Sequence, residues 1–276
     1  MYGWLIYSYA EAQRNKHFIQ FFFEESKKVG ITLDLILTEQ LKFGVKEGKL
    51  FAQCGKPLPH FAVCRTKNPL LTRQLELMGV RTYNNSTVAT ICNDKQLTYQ
   101  MVANLGIDTI DTDFVKKGSK YISEDFPKII KTAEGCGGKN VYLAHSQKEI
   151  DDILEQNCHS DCVIQPLVGE QCRDLRVYVI GKQIVGAVLR TAKEGFKSNY
   201  SLGGDIAPFK VTDEIKSIVD KISNALNFGL VGIDFLFEKD KPLLNEIEDV
   251  VGCRMLYACT DVNIVRLYLD YIKMLG

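Results

Sequence analysis

The chain has 276 residues, 46% of them hydrophobic, so it can bury a substantial core and has the length of about two domains. Its 34 lysines and arginines balance 34 aspartates and glutamates, which excludes a net field that would attract nucleic acid or an anionic membrane. No apolar run reaches the roughly 18 residues of a membrane span, and no basic segment precedes the apolar N-terminus. We therefore expect a cytoplasmic protein without nucleic-acid or membrane partners.

The first ninety residues alternate strand-like and helix-like patterns, which predicts a small α/β domain over residues 1–90. The predicted elements are strand 4–7, helix 15–29 ended by Gly30, strand 31–37, strand 61–64 and helix 68–78 ended by Gly79. Four phenylalanines of the first helix, at positions 18, 21, 22 and 23, partly follow helical spacing and are predicted to face the sheet as core. No glycine-rich fingerprint follows the first strand, so a dinucleotide site is not expected.

The rest of the chain predicts a second, larger unit over residues 91–276. Residues 86–105 predict one or two helices, with Ser86 as N-cap and Gly106 as stop. The elements that follow are strands 126–131 and 141–145, helix 147–156, strand 162–168, a hairpin of 175–180 with 184–190, helix 213–226, a hairpin of 230–237 with 243–249, and helix 263–274. Gly181 suits the first position of a two-residue type II′ turn.

Three acids in the last hairpin are candidate metal ligands. Glu246 and Glu248 share one face of their strand because strand side chains alternate, and a turn over residues 239–241 would set Asp234 opposite Glu246. Three clustered carboxylates repel one another unless a cation is bound, which favours a Mg²⁺ site that also takes substrate phosphates. The alternative is the solvated outer face of a hairpin.

A glycine-rich loop follows the strand that ends at Lys131. Gly135, Gly137 and Gly138 would let backbone N–H groups approach a phosphate, and the lysine supplies a positive charge. The loop enters a strand and lacks the GxxxxGK[ST] order, so it is not a Walker A motif. The alternative is a mobile hairpin tip.

Two further segments are suited to a nucleotide. The apolar strand 162–168 runs into Gln165-Pro166-Leu167, where backbone groups are available to a purine edge; an edge strand is the alternative. Asp174 and Arg176 share one face of the next strand, which suits a ribose hydroxyl and a phosphate or carboxylate. A structural ion pair is the alternative there.

The nine cysteines are an odd number without paired CxxC spacing, which favours buried, reduced thiols. Cys158, His159 and Cys162 are the nearest approach to a zinc cluster, but no second pair of ligands has suitable spacing. No Ser or Cys has the sequence context of a nucleophile elbow, so nucleophilic hydrolysis is disfavoured.

The order of these segments resembles the ATP-grasp superfamily, and within it the RimK-type glutamate ligases, from about residue 93 to 252. Asn93-Asp94-Lys95 is similar to the family's Asn-Asp-Lys helix start, and residues 105–107 to its Leu-Gly-Ile continuation. Residues 131–135 resemble its second nucleotide lysine and glycine-rich lid, and residues 190–199 its Arg-x-Ala-x-Glu-Gly-x-Phe-Arg-x-Asn loop. The resemblance implies an α/β (α+β) class and an ATP-grasp fold over 91–276, with a lid subdomain at about 107–168 and a pre-ATP-grasp domain over 1–90.

The resemblance also implies a role for each matching residue. The nucleotide contacts would be Lys95 and Lys131 on the α- and β-phosphates, Gly135, Gly137 and Gly138 in the lid, Gln165, Pro166 and Leu167 at the adenine, and Asp174 at the ribose. The γ-phosphate and the activated acyl group would be surrounded by Arg176, Arg190, Lys197 and Asn199. The Mg²⁺ ligands would be Asp234, Glu246 and Glu248, with Mn²⁺ as an alternative ion.

Three departures from the family pattern affect these roles. Pro166 stands where the family usually has Glu, and Glu248 where it commonly has Asn. Residues 199–204 lack the arginine of the family's Asn-Leu-His-Arg-Gly-Gly, and Arg254 is a candidate replacement. The last departure questions glutamate specificity more than ATP use.

The implied function is that of an ADP-forming carbon–nitrogen ligase, an acid–amino acid ligase that uses ATP. A small carboxylate or amino acid would be activated as an acyl phosphate and joined to an amine, peptide or protein acceptor. The alternatives are a kinase of the same fold that phosphorylates a hydroxyl, and a nucleotide-binding regulator without turnover. The sequence leaves open the identity of both substrates and the oligomeric state, a homo-oligomer included.

Overall fold

A computed structural model describes residues 1–135, 140–169, 173–191 and 204–276. The helices of these residues are α1 (Tyr9–Arg14), α2 (Lys16–Lys28), α3 (Pro69–Leu77), α4 (Ser86–Cys92), α5 (Lys95–Asn104), α6 (Gln147–Gln156), α7 (Asp213–Ala225), α8 (Arg254–Cys259) and α9 (Ile264–Leu275), with a 3₁₀ turn at Thr38–Gln40. The strands are β1 (Tyr2–Tyr7), β2 (Thr32–Leu37), β3 (Lys42–Lys46), β4 (Lys49–Gln53), β5 (Phe61–Cys64), β6 (Arg81–Tyr83), β7 (Asp113–Val115), β8 (Lys128–Thr132), β9 (Val141–Ala144), β10 (Cys162–Pro166), β11 (Arg173–Ile180), β12 (Gln183–Thr191), β13 (Asp205–Pro208), β14 (Leu230–Glu238) and β15 (Lys241–Glu248). This mixture of helices and sheets confirms the predicted α/β (α+β) class.

The N-terminal sheet is parallel, in the order β2-β1-β5-β6. Side chains of the central strand β1 alternate between two cores: Leu5 and Tyr7 point into one, and Trp4 and Ile6 into the other. A strand buried on both faces is typical of a parallel sheet covered by helices. Because the strands are parallel, the carboxyl ends of β1, β2 and β5 lie along one edge of the sheet.

Helix α2 carries its aromatic side chains into a core that the N-terminal sheet shares with the C-terminal helices. Phe22 is fully buried and meets Tyr268 of α9 with ring centroids 6.4 Å apart. Phe18 and Phe21 contact Tyr257 of α8 edge to face, at 6.5 and 5.4 Å. These residues are core, as predicted, but part of their partner surface comes from the far end of the chain.

A five-stranded antiparallel sheet, β13-β12-β11-β14-β15, forms the centre of the molecule. One face is apolar and packs against α4, α5 and α7. The opposite face changes character along the strands. At one end Tyr178, Ile180, Val188 and Leu230 join the core shared with the N-terminal sheet, and at the other end stand the charged residues of the candidate site.

A smaller antiparallel sheet, β7-β10-β8-β9, occupies the region predicted as the lid subdomain. Ile150 and Ile153 of α6 pack against Ile130 and Ile164 in its core. Strand β10 lies between β7 and β8, so the segment around residues 162–166 is an internal strand and not the edge strand left open by the sequence.

The predicted elements are present, but several short ones were not predicted. These are three to six residues long, too short for a hydrophobic period to be recognised: α1, β3, β4, β6, β7, β13 and α8. The predicted N-cap Ser86 is also wrong. Asn85 is the cap, because its Oδ1 accepts from the Val88 N–H at 2.9 Å, whereas the Ser86 hydroxyl donates to Glu76.

The described cysteines are all free thiols. Four of them, Cys64, Cys92, Cys162 and Cys253, are buried as predicted, and burial raises the pKa of each thiol. The prediction is wrong for Cys158, which is exposed because it lies in the turn after α6. Within the four described segments, no helix combines the length and the apolar character needed to cross a bilayer.

Candidate active site

The hairpin β14–β15 places Asp234 opposite Glu246, as predicted. The predicted three-residue turn is wrong: the turn consists of Lys239 and Asp240, with φ of 48° and 64°. A bulge at Asn245 then shifts the register by one residue, and so restores the pairing that a three-residue turn would have given.

Two arginines tie neighbouring strands together through the acids. Arg176 of β11 donates from Nε and Nη2 to the two carboxylate oxygens of Asp234, at 2.8 and 2.6 Å, and its Nη1 lies 2.8 Å from Glu248 Oε2. Arg190 of β12 donates from Nε to Asp174 at 2.7 Å and from Nη2 to Asp234 at 2.9 Å. Arg176 faces Asp234 and Arg190 faces Asp174 on neighbouring strands. These pairs form across the strands because directly opposite residues lie closer together than residues two apart on one strand.

The two acids around Arg176 have pKa values shifted in opposite directions. Burial opposes ionisation of Asp234, but the guanidinium groups of Arg176 and Arg190 outweigh it and lower the pKa of Asp234 to about 2. Burial raises the pKa of Glu248; Arg176 acts against this shift, and the charges of Asp234 and Glu246 add to it. Asp234 is therefore a fixed anion held by arginines, whereas an added cation would stabilise ionised Glu248.

Lys95 and Lys131 converge on Glu246 from two different elements. Lys95, the first residue of α5, has its Nζ 3.7 Å from Glu246 Oε1. Lys131, in β8, donates to Asn245 Oδ1 at 2.9 Å. Burial lowers the pKa of Lys131 to about 8; Glu246 acts against this shift, and Lys95 adds to it. The structure thus brings together the two lysines predicted to hold phosphates, and their contacts with a nucleotide stay a prediction.

The start of the glycine-rich loop lies beside these lysines. Gly135 has φ of 138°, a conformation that other residues rarely adopt, and its carbonyl accepts from Lys67 and from Lys95, both at 3.3 Å. Four residues named from the sequence fall outside the described part of the chain: Gly137, Gly138, Lys197 and Asn199. Their contacts with phosphate and acyl groups stay predictions.

The predicted adenine segment ends strand β10. Gln165 is buried, and its Nε2 donates to Thr112 Oγ1 at 2.8 Å, so its amide nitrogen already has a partner directly before β7. Pro166 is half-buried, and Leu167 is 43% exposed beyond the strand. The role of these residues at a purine, like that of Asp174 at a ribose, stays a prediction.

The donor set is compatible with a magnesium ion. Glu246 and Glu248 both line a cavity at the edge of the sheet, and their side chains are 22% and 18% exposed. Mg²⁺ usually takes one or two protein carboxylates and completes its shell with water and phosphate oxygens. Asp234, by contrast, is only 3% exposed and is bound by two arginines. Within the described ranges, no cluster of three or more Asp, Glu, His or Cys side chains has the arrangement of a metal site. Ligation by Asp234 stays a prediction.

Sequence reasoning missed a second set of polar residues that fixes the geometry of this site. Asp249, directly after β15, is 3% exposed and accepts from Asn84 at 2.6 Å and from Asn93 at 3.0 Å. Asn84 follows β6, and Asn93 precedes Lys95. Asp249 therefore fastens the strand of Glu246 to both the N-terminal sheet and the helix that carries Lys95. The sequence signals were the acid directly after Glu248 and Asn93 of the Asn-Asp-Lys match.

Comparison with known proteins gives a consistent result. The family model described as RimK-like ATP-grasp domain matches residues 92–272. The "Probable alpha-L-glutamate ligase" of Legionella pneumophila (strain Corby) is 30% identical over 244 residues, covering 82% of this chain and 80% of that protein. Two solved structures, each 15% identical, share the fold: the RimK domain protein ATP-grasp from Sphaerobacter thermophilus DSM 20745, with a TM-score of 0.76 over 98% of this chain and 99% of that chain, and the D-alanine–D-alanine ligase from Bacillus anthracis complexed with ATP, with 0.74 over 99% and 96%.

Proposed function

Since this chain belongs to the RimK-like ATP-grasp family, we propose that it joins a substrate carboxylate to an amine through an acyl phosphate, with release of ADP and phosphate. It is an ATP-grasp ligase of the ADP-forming, carbon–nitrogen type. L-Glutamate is the first candidate for one substrate, because relatives matched over four fifths of the chain carry the name "Probable alpha-L-glutamate ligase".

The observation that carries this proposal is the convergence of Lys95, Lys131 and Glu246 next to the arginines of the sheet. Two ammonium groups, one from the helix start and one from the lid strand, are held where a polyphosphate would bridge the two sheets. Glu246 and Glu248 would hold Mg²⁺, which would neutralise phosphate charge when bound. The site contains cations and candidate metal ligands, and the proposed reaction requires no protein nucleophile.

The reaction then depends on positioning and charge. An oxygen of the substrate carboxylate attacks the γ-phosphorus, and the bond from that phosphorus to the bridging oxygen of ADP breaks. Arg176 and Arg190, fixed by Asp234 and Asp174, present guanidinium groups that are preorganised for the charge that develops. The amine nitrogen next attacks the acyl carbon, phosphate leaves, and the nitrogen loses a proton.

Glu246→Gln tests the proposal directly. We expect the variant to lose at least about 100-fold in the rate of ADP release, because a neutral amide binds Mg²⁺ more weakly than a carboxylate does, while its far-UV spectrum and Tm stay close to those of the wild type. The rate is measured with Mg-ATP, L-glutamate and a panel of carboxylates and peptides, and the product is weighed by mass spectrometry.

Glu238→Gln is the matched control, since Glu238 is an exposed acid at the far end of the same hairpin. It should keep the wild-type rate. Full ligation by Glu246→Gln would refute the role of Glu246 as a metal ligand. A phosphorylated product in place of an amide would indicate a kinase, and ATP binding without ADP formation would indicate a regulator.

A further inference from the structure

A cavity of about 570 Å³ lies between the N-terminal sheet and the charged end of the central sheet. Ser8, Thr38 and Arg65 line it from the N-terminal side, each directly after a parallel strand. Glu246 and Glu248 line it from the opposite side. A molecule in this cavity would therefore touch both the proposed site of phosphoryl transfer and the carboxyl edge of the N-terminal sheet.

The topology of the N-terminal sheet favours a ligand at this edge. From β1 the chain passes to β2 on one side, and it later returns to β5 on the other side, so the strand order reverses between β1 and β5. In open parallel sheets, ligands bind in the crevice outside the carboxyl ends of the strands at such a reversal. Ser8 and Arg65 follow the two strands that flank it.

Arg65 is a buried cation with few polar partners among the residues that the structure describes. Its side chain is 6% exposed, and its guanidinium donates from Nη2 to the Val251 carbonyl at 2.7 Å, with the Tyr7 hydroxyl nearby. It packs over the ring of Phe18 at 5.5 Å. Among the residues that the structure describes, no carboxylate lies within ion-pair distance of it, and its Nε is buried without a partner.

The acids near Arg65 pair elsewhere or act on it only from beyond ion-pair distance. Glu11, which also lines the cavity, pairs with Arg14. Asp249 accepts from the neutral amides of Asn84 and Asn93; burial raises the pKa of its carboxylate, and the charge of Arg65 acts against this shift from a longer distance. The nearby Tyr7 hydroxyl is neutral, because burial raises its pKa further than Arg65 lowers it. A guanidinium group keeps its proton at any physiological pH, and burying it without an anion is costly. The other two buried arginines of the cavity, Arg176 and Arg190, both have carboxylate partners.

We propose that Arg65 binds a carboxylate of the substrate that does not react, so that the enzyme selects a substrate with a second acidic group. The inference rests on the proposed ligase function for the position of the reacting group. The phosphorylated carboxylate lies beside Arg176, Arg190 and the two glutamates. A second carboxylate, on either the phosphorylated substrate or the amine substrate, would reach Arg65 across the cavity. The planar guanidinium group can donate two parallel hydrogen bonds to the two oxygens of such a carboxylate.

Binding of three probes to the wild type and to Arg65→Gln tests this inference without turnover. The probes are L-glutamate, L-glutamine and L-isoglutamine, titrated calorimetrically with Mg²⁺ and a non-hydrolysable ATP analogue present. Each amide lacks one carboxylate of glutamate. We expect Arg65→Gln to weaken glutamate binding at least tenfold, and one of the two amides to bind equally to both proteins, since the group that Arg65 reads is then missing from the ligand.

Arg73→Gln is the matched control, because Arg73 is exposed on α3 of the same domain and lies outside the cavity; it should bind glutamate as the wild type does. If Arg65→Gln is unstable, Arg65→Lys takes its place, and the lost fork geometry should still weaken glutamate binding while the insensitive amide is unaffected. Equal glutamate affinity in wild type and variant, or no glutamate binding by the wild type, would overturn the inference. Failure of the ligase function would instead appear as no ADP release by the wild type.

Discussion

The lowered pKa of Lys131 predicts a pH dependence of nucleotide binding. With its pKa lowered to about 8, its ammonium group is charged below that pH and becomes neutral above it. We therefore expect the Kd for a non-hydrolysable ATP analogue to rise as the pH increases from about 7.5 to 9.5, a range in which the phosphates are already ionised because their second pKa is about 6. The Kd is measured by calorimetry across this range in the absence of acid substrate.

Lys131→Arg should make this Kd nearly independent of pH, because a guanidinium group stays protonated throughout the range. Lys148→Arg, at an exposed position on α6, is the control and should keep the wild-type pH dependence. A wild-type Kd that stays flat to pH 9.5 would show that the charge of Lys131 does not contribute to binding.

For single residues, the sequence predicted which side chains belong to the site but not which of them pair with each other. Arg176, Arg190 and Asp234 were recognised as candidates, but Arg176 pairs with Asp234 and Arg190 with Asp174 only because β12, β11 and β14 are neighbours. Strand order is a property of the folded sheet, so no local pattern could supply these pairs. Arg65 was not singled out from the sequence, because its burial and the absence of a described carboxylate at ion-pair distance are properties of the folded structure.

The β14–β15 hairpin illustrates the cost of an unusual turn. Lys239 and Asp240 both adopt positive φ, which costs a residue with a Cβ about 1 kcal/mol or more compared with glycine. The Asp240 carboxylate pairs with Arg173 at 3.3 Å but is 91% exposed, so this pair contributes little. We expect Asp240→Ala to be less stable than Asp240→Gly by about 1 kcal/mol in urea unfolding.

Both variants lack the carboxylate, so their difference isolates the backbone conformation. Equal stabilities would mean that the turn relaxes to another geometry when the side chain is removed. The sequence predicted the hairpin and its central pair correctly, since alternation and acid spacing are local signals. It missed both the two-residue turn and the Asn245 bulge. Each of these shifts the register by one residue, and because the two shifts cancel, the predicted pairing of Asp234 with Glu246 is still correct.

The whole molecule should unfold as one unit, because one core joins the N-terminal sheet to the C-terminal helices. Leu5 of β1 and Phe22 of α2 belong to the same buried cluster as Tyr268 and Leu269 of α9. Trp4 is the single tryptophan and is fully buried in the N-terminal sheet, so its fluorescence reports that sheet alone. We expect its urea transition to coincide with that of far-UV circular dichroism.

A Trp4 transition at lower urea than the loss of helix signal would contradict this expectation. Phe22→Ala should lower both midpoints together, since it removes about 3–5 kcal/mol from the shared core. The predicted division at residue 90 stays a prediction. It falls within α4, whose Val88 and Cys92 pack into the core of the central sheet. The sequence could not predict the shared core, because it joins segments from opposite ends of the chain.

The dependence of α2 on α8 and α9 also matters while the protein is being made. The aromatic side chains of α2 (Lys16–Lys28) are translated long before α8 (Arg254–Cys259) and α9 (Ile264–Leu275), which cover them. Until α8 and α9 have been translated, the nascent polypeptide exposes an aromatic surface, and exposed apolar surface of this kind is prone to aggregate. The aromatic face of α2 is therefore protected only after most of the residues between these helices have been made.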